Sequence, residues 1–205
     1  MAQKMDLRKE YRHLYNPSVK EPAIVEVPDF DFLMIDGHGD PNRSLEYQQA
    51  VEGLFSLAYT IKFEVKRSMG VDYGVMPLEG LWWVEDMANF SIDHKDDWDW
   101  TMMILQPEMV SADLVAKCQA QALKKKNNPA LDKIRYQRYS EGTSVQLMHI
   151  GPYAEEGSNI ARMHAFAKTQ GYRLHGKHHE IYLGDVRKTA PEKLKTVLRQ
   201  PVRQS

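Results

Sequence analysis

Two apolar runs far apart in the chain end alike and are followed alike. Leu33-Met34-Ile35 leads into Gly37 and Gly39, Leu147-Met148-His149-Ile150 leads into Gly151, and Gln106-Pro107 has its counterpart in Gln200-Pro201. After each run comes a segment of helical period and then two β-rich stretches, so one β-α-β-β unit is used twice. Two such units bury their apolar faces by forming an antiparallel sheet with two long helices on one face, an α+β fold with pseudo-twofold symmetry. The other face, near the junction, is then the expected ligand cleft. The halves span about 30–107 and 131–201, behind an arm over 1–29, and the whole reads as a single domain over 1–205.

Local signals fill in this frame. Leu7 to Tyr15 suits a short helix, and Pro17, Pro22 and Pro28 prevent a long one. Phe30 to Ile35 reads as a strand. Asp40 then suits a helix N-cap, Pro41 its first position, and Val51, Leu54, Phe55, Ala58, Ile61 and Val65 its buried stripe. Val75 to Asp86 and Trp98 to Gln106 read as strands with a polar turn between them, and Ser111 to Lys126 as a helix capped by Ser111. Ile134 to Tyr139 and Ser144 to Ile150 read as a hairpin turned at Glu141-Gly142. Gly151-Pro152 starts a second helix carrying Ile160, Met163 and Ala167.

Composition removes several function classes. With 27 basic and 28 acidic residues the net charge is -1, so no global field draws the chain to nucleic acid or an anionic membrane. No apolar run approaches the ~20 residues of a membrane span, and the first residues lack a signal-peptide core, which points to the cytoplasm. Cys118 is alone and reads as a packing residue. His149, His164, His175, His178 and His179 accompany no C-x2-C or H-E-x-x-H pattern, and no nucleotide or hydrolase fingerprint is present. Neither a metal nor a cofactor is expected.

The chemistry concentrates in Lys177-His178-His179-Glu180-Ile181-Tyr182-Leu183. On a strand, His179, Ile181 and Leu183 share one face and His178, Glu180 and Tyr182 the other. Burying Ile181 and Leu183 against the helices leaves Glu180 and Tyr182 on the open face. Matching Asp86 to Asp185 brings Trp83 opposite Tyr182 with Glu180 between. Rings around one carboxylate bind flat, apolar or cationic molecules by stacking and cation–π attraction. Burial among rings raises the pKa of Glu180 and suits it to act as a general acid or base, or as a counter-ion.

Met76-Pro77-Leu78-Glu79-Gly80-Leu81-Trp82-Trp83, Gln146 to Tyr153 and His178-His179-Glu180-Ile181-Tyr182-Leu183 together resemble the GyrI-like small-molecule-binding proteins, from about Asp6 onward. These are related to the effector-binding domains of multidrug-sensing regulators of the BmrR and Rob type. The resemblance implies two β-α-β-β halves around a ligand cleft, with Glu180 matching the glutamate at its base. Relatives that regulate transcription carry a DNA-binding domain ahead of this one, so no direct DNA binding is expected. Stand-alone relatives bind small molecules, and some inhibit DNA gyrase, which makes gyrase a candidate partner. One subfamily similar in its tryptophan-rich strands hydrolyses the cyclopropane of DNA-alkylating cyclopropanoids, a xenobiotic detoxification. The candidate catalytic residues are therefore Glu180 and Tyr153, and the candidate ligand contacts Trp82, Trp83, Trp100, Tyr136, Tyr182 and His149. The alternative to an enzyme is a protein that sequesters or senses such ligands, with Glu180 as counter-ion.

Overall fold

The computed structural model describes residues 2–87 and 94–205. Its strands are β1 (Gln3–Met5), β2 (Ala23–Val27), β3 (Phe30–His38), β4 (Val71–Tyr73), β5 (Leu78–Trp83), β6 (Asp99–Gln106), β7 (Arg135–Tyr139), β8 (Gly142–Ile150), β9 (Tyr172–Leu174), β10 (His178–Tyr182) and β11 (Lys195–Gln204). The helices are α1 (Leu7–Glu10), α2 (Arg12–Tyr15), α3 (Leu45–Met69), α4 (Ala112–Lys125) and α5 (Gly157–Thr169). The fold is α+β with mostly antiparallel strand pairing, as expected. The β-α-β-β order recurs as β3-α3-β5-β6 and β8-α5-β10-β11, with β4 and β9 inserted after the helices. The polar turn expected before residue 98 falls largely on residues 88–93, outside the described residues.

The chain forms two compact units. The first comprises Met1–Glu10, Phe30–Leu78 and Trp83–Tyr139. In it β3 pairs antiparallel with β6 on one side and β7 on the other, Leu33 standing opposite both Ile104 and Tyr136. Helix α3 packs on β3, β6 and α4 through Leu54, Leu57, Ala58, Ile61 and Val65. It begins later than expected. The Ser44 side chain caps it by accepting from Tyr47 N, whereas Asp40 accepts from Asn42 and Arg43 in the turn before. Gly70, at φ 69°, ends it in the left-handed conformation. Ser111 caps α4 as expected, accepting from Leu114 N.

The second unit comprises Tyr11–Asp29, Glu79–Trp82 and Ser140–Ser205. Here β8 lies between β2 and β11, β10 pairs with β11, and the β5 residues of this unit lie beside β10. Val145, Leu147, Leu198 and Val202 on the sheet pack against Met163 and Ala167 of α5. The opposite face is covered by the arm.

Two expectations are overturned. The hairpin predicted at Glu141-Gly142 does not form: β7 pairs with β3, from Phe30↔Tyr139 to Met34↔Arg135, and β8 with β2 and β11. The strand faces are also reversed. Glu180 stands opposite Leu198, which stands opposite Leu147, and both leucines belong to the core beneath α5. Residues in register share a face, so Glu180 and Tyr182 lie on the helix side of the sheet. Ile181 and His179 lie on the arm side. Both faces of β10 are covered, so alternation in the sequence carries no sign of which is which.

Candidate functional site

Five side chains of the second unit converge on the helix side of β10. Tyr182 OH donates to Glu180 Oε2 at 2.7 Å, and Trp82 Nε1 donates to Tyr182 OH at 3.0 Å. His178 Nε2 lies 3.3 Å from Glu180 Oε1. The Tyr153 ring meets the Tyr182 ring edge-on, with centroids 5.5 Å apart and planes at 70°. Tyr153 is exposed and Tyr182 partly so, whereas Trp82 is buried and orients Tyr182 from behind. Glu180 Oε2 accepts from Tyr182 and Oε1 stands at ion-pair distance from His178, and each oxygen keeps a further lone-pair site for water or ligand.

The electrostatics depart from the expectation of a raised Glu180 pKa. Burial does push it up, but the hydrogen bonds from His178 and Tyr182 and the charges of His178 and His179 outweigh burial and hold it below the ordinary value. The site therefore presents a standing carboxylate, suited to a base or a counter-ion. Although Tyr153 as a whole is exposed, its phenol is partly desolvated, which with the charges of Glu156 and Glu180 pushes it up to about 12, so it stays protonated and able to donate.

The remaining predicted residues are placed as follows. His149 is buried on the same face, where its Nε2 donates to Pro152 O at 3.1 Å and its Nδ1 accepts from Asn159 at 2.8 Å. It thereby pins the turn that carries Tyr153 to the head of α5. Trp83, Trp100 and Tyr136 belong to the first unit. Strand alternation turns Trp83 to the face of β5 opposite Trp82. Trp100 is fully buried against Tyr47 of α3, ring centroids 5.3 Å apart, and Tyr136 OH donates to Val110 O at 2.6 Å. Sequence reasoning missed His178 as a partner of Glu180, although the two stand two residues apart on one strand face.

On the arm side of the same strand lies a buried charge network that sequence reasoning missed altogether. His179 Nδ1 lies 2.9 Å from Glu141 Oε1 and its Nε2 3.0 Å from Glu79 Oε2, a geometry in which the doubly protonated ring donates to both ionised carboxylates. Tyr15 OH donates to Glu79 Oε1 at 2.7 Å, and Arg199 donates to Glu141 Oε2, Gln146 Oε1 and Leu14 O. Burial disfavours both charges, yet their pairing wins: the His179 pKa is raised to about 9 and that of Glu141 is lowered to about 2.

A pH profile of stability follows. The Glu141 contribution is complete above its ordinary value of 4.5 and is lost as pH falls through about 2. The His179 contribution is complete below 6.5 and is lost as pH rises through about 9. Denaturant melts should show a plateau between these ordinary values and a loss of about 3 kcal/mol toward either extreme, the two losses being one ion pair seen from two sides. A flat profile from pH 3 to 10 would refute the charged network.

The pattern of the GyrI-like small molecule binding domain matches residues 20–203. The chain belongs to the GyrI-like family. This GyrI-like chain is 41% identical to an uncharacterized conserved protein from Listeria innocua, over 97% of this chain and 100% of that one, with a TM-score of 0.90. It is 40% identical to a hydrolase from Listeria innocua over the same shares, with a TM-score of 0.84. The C-terminal domain of EcmrR shares the fold at 14% identity and a TM-score of 0.53, over 90% of this chain and 98% of that one. No curated protein matches the sequence. Among the described residues no helix is long and apolar enough to cross a membrane, and no group of metal-ligating side chains converges.

Proposed function

We propose that this GyrI-like chain binds planar aromatic xenobiotics in the cytoplasm at Tyr153, Tyr182 and Glu180, and adds water to the strained cyclopropane of DNA-alkylating cyclopropanoids. The observation that carries the reading is Glu180 itself, a carboxylate set in a face of tyrosine rings, bonded by Tyr182 at one oxygen and facing His178 at the other. The rings provide stacking area, and the carboxylate provides a fixed negative charge or a base. In the hydrolysis, the oxygen of a water held by Glu180 bonds to the cyclopropane carbon while Glu180 takes its proton. The strained C–C bond breaks, its electron pair passes into the conjugated system of the substrate, and a proton from the Tyr153 phenol or from solvent neutralises it. The net change is the gain of one water. The similarity to a Listeria innocua hydrolase supports the catalytic part.

The test is incubation with a cyclopropanoid alkylator and mass spectrometry for the hydrated product. Wild type should form it, and Glu180→Gln should slow turnover roughly 100-fold or more while still binding the substrate. Equal turnover by both would remove Glu180 from the mechanism. The small-molecule-binding description of the family favours a second reading, sequestration or sensing without turnover. Under it, ligand quenches tryptophan fluorescence and no product appears.

A further inference from the structure

Glu180 already has one possible counter-charge beside it. His178 is 3% exposed and holds Glu180 Oε1 from the same strand face, while Tyr182 holds Oε2. With His178 protonated, the pair is neutral and buried. A cationic ligand arriving at such a pair leaves two positive charges against one negative in a site largely removed from water, a strongly unfavourable arrangement. Loss of the His178 proton restores neutrality. Resting on the reading of Glu180 as the anionic centre of the ligand site, we propose that the site takes up a planar cation in exchange for the proton of His178.

Of the other titratable groups on this face, His149 of β8 is already bonded to Pro152 O and to Asn159 of α5. From α5 comes His164, whose Nε2 is buried without a hydrogen-bond partner and whose pKa is lowered to about 4 by burial and by His178 itself, so it stays neutral. At the head of α5 stand Glu156 and the protonated phenol of Tyr153, which feels the charges of both Glu156 and Glu180. On the shared face β11 presents Thr196, Leu198 and Gln200, and β5 presents Gly80 and Trp82, none of which titrates. From β10 itself, Tyr182 is bound to Glu180 and His179 points into the carboxylates of the opposite face.

The exchange is read by isothermal titration calorimetry between pH 5 and 8 in buffers of different ionisation enthalpy. The probes are N-methylphenanthridinium, whose charge is fixed, and phenanthridinone, neutral and of similar outline. Wild type should release up to about one proton per bound cation, with cation affinity rising by up to about tenfold per pH unit. Phenanthridinone should release none, and its affinity should be flat with pH. His178→Gln keeps an amide donor for Glu180, and should abolish the release and flatten the cation profile. Cation binding without proton release in wild type overturns the exchange, as does release that persists in His178→Gln, and the wild-type arm stands whether or not the variant folds. If both probes bind and no proton is released, the exchange alone falls. If neither probe binds, the planar-ligand reading falls with it.

Discussion

Replacing His179 by leucine is expected to lower folding stability by about 3–5 kcal/mol, the cost of breaking a buried ion pair by deleting one partner. The ring stands between two carboxylates, Glu141 and Glu79, with all three side chains about 1–2% exposed. Without it, Glu79 keeps only the Tyr15 hydroxyl and Glu141 only Arg199 among these contacts. One carboxyl must then take up a proton, so the variant should be most destabilised above pH 5 and recover in part below it. Urea denaturation of wild type and variant at pH 4 and pH 7 measures both effects. A loss under about 1 kcal/mol at pH 7 would mean that the carboxylates already share a proton and that the ring is neutral. Replacing His179, Glu141 and Glu79 together by apolar residues should cost much less than the three single losses added, because no stranded charge remains.

Trp100→Ala is expected to cost a comparable 3–5 kcal/mol, here through lost burial and the cavity left behind. Trp100 is fully buried and its ring lies flat over the backbone of Gly37, where a Cβ would come within 2.1 Å of the ring carbons. The two positions stand opposite each other on β3 and β6, so glycine is what lets the indole occupy the sheet surface. Gly37→Ala alone should therefore destabilise by about 1–3 kcal/mol through forced displacement of the ring. In the Trp100→Ala background the same change should cost little, since the obstructing ring is gone. A double-mutant cycle in urea gives the coupling directly, and additive losses would show that the ring moves aside freely. The effect belongs to stability, because Trp100 presents no surface to a ligand in this structure.

What could be read from the chain, and what could not, divides along physical lines. Helix α4 and its Ser111 cap, the long helix over Leu45–Met69 and the strand at His178–Tyr182 all carry their signal within a few residues. The repeat was legible because each half writes the same order of elements. Cross-strand facts were not. Whether Glu180 or Ile181 faces the helices depends on register with Leu198 and Leu147, which local alternation cannot reveal when both faces are covered. The partner of β7 proved to be β3, about a hundred residues earlier in the chain, although a turn signal at Glu141-Gly142 suggested the nearer one. For the candidate site, Glu180, Tyr153, Tyr182 and Trp82 were picked out and meet in one place. The Glu79–His179–Glu141 network left no trace in the sequence, because its members lie 100 and 38 residues apart.

That wide spacing bears on how the chain reaches its native state. Tyr15 and Glu79 are made early, yet the imidazolium that Glu79 binds and the guanidinium beside Glu141 come from residues 179 and 199. Until those residues leave the ribosome, the carboxylates have no cation and the arm has no sheet to settle on. The second unit thus closes late and all at once, in the manner of folds dominated by distant contacts. Nascent chains stopped before residue 178 should remain open to protease along Tyr11–Asp29, and protection there should appear only when β10 and β11 are both free of the exit tunnel.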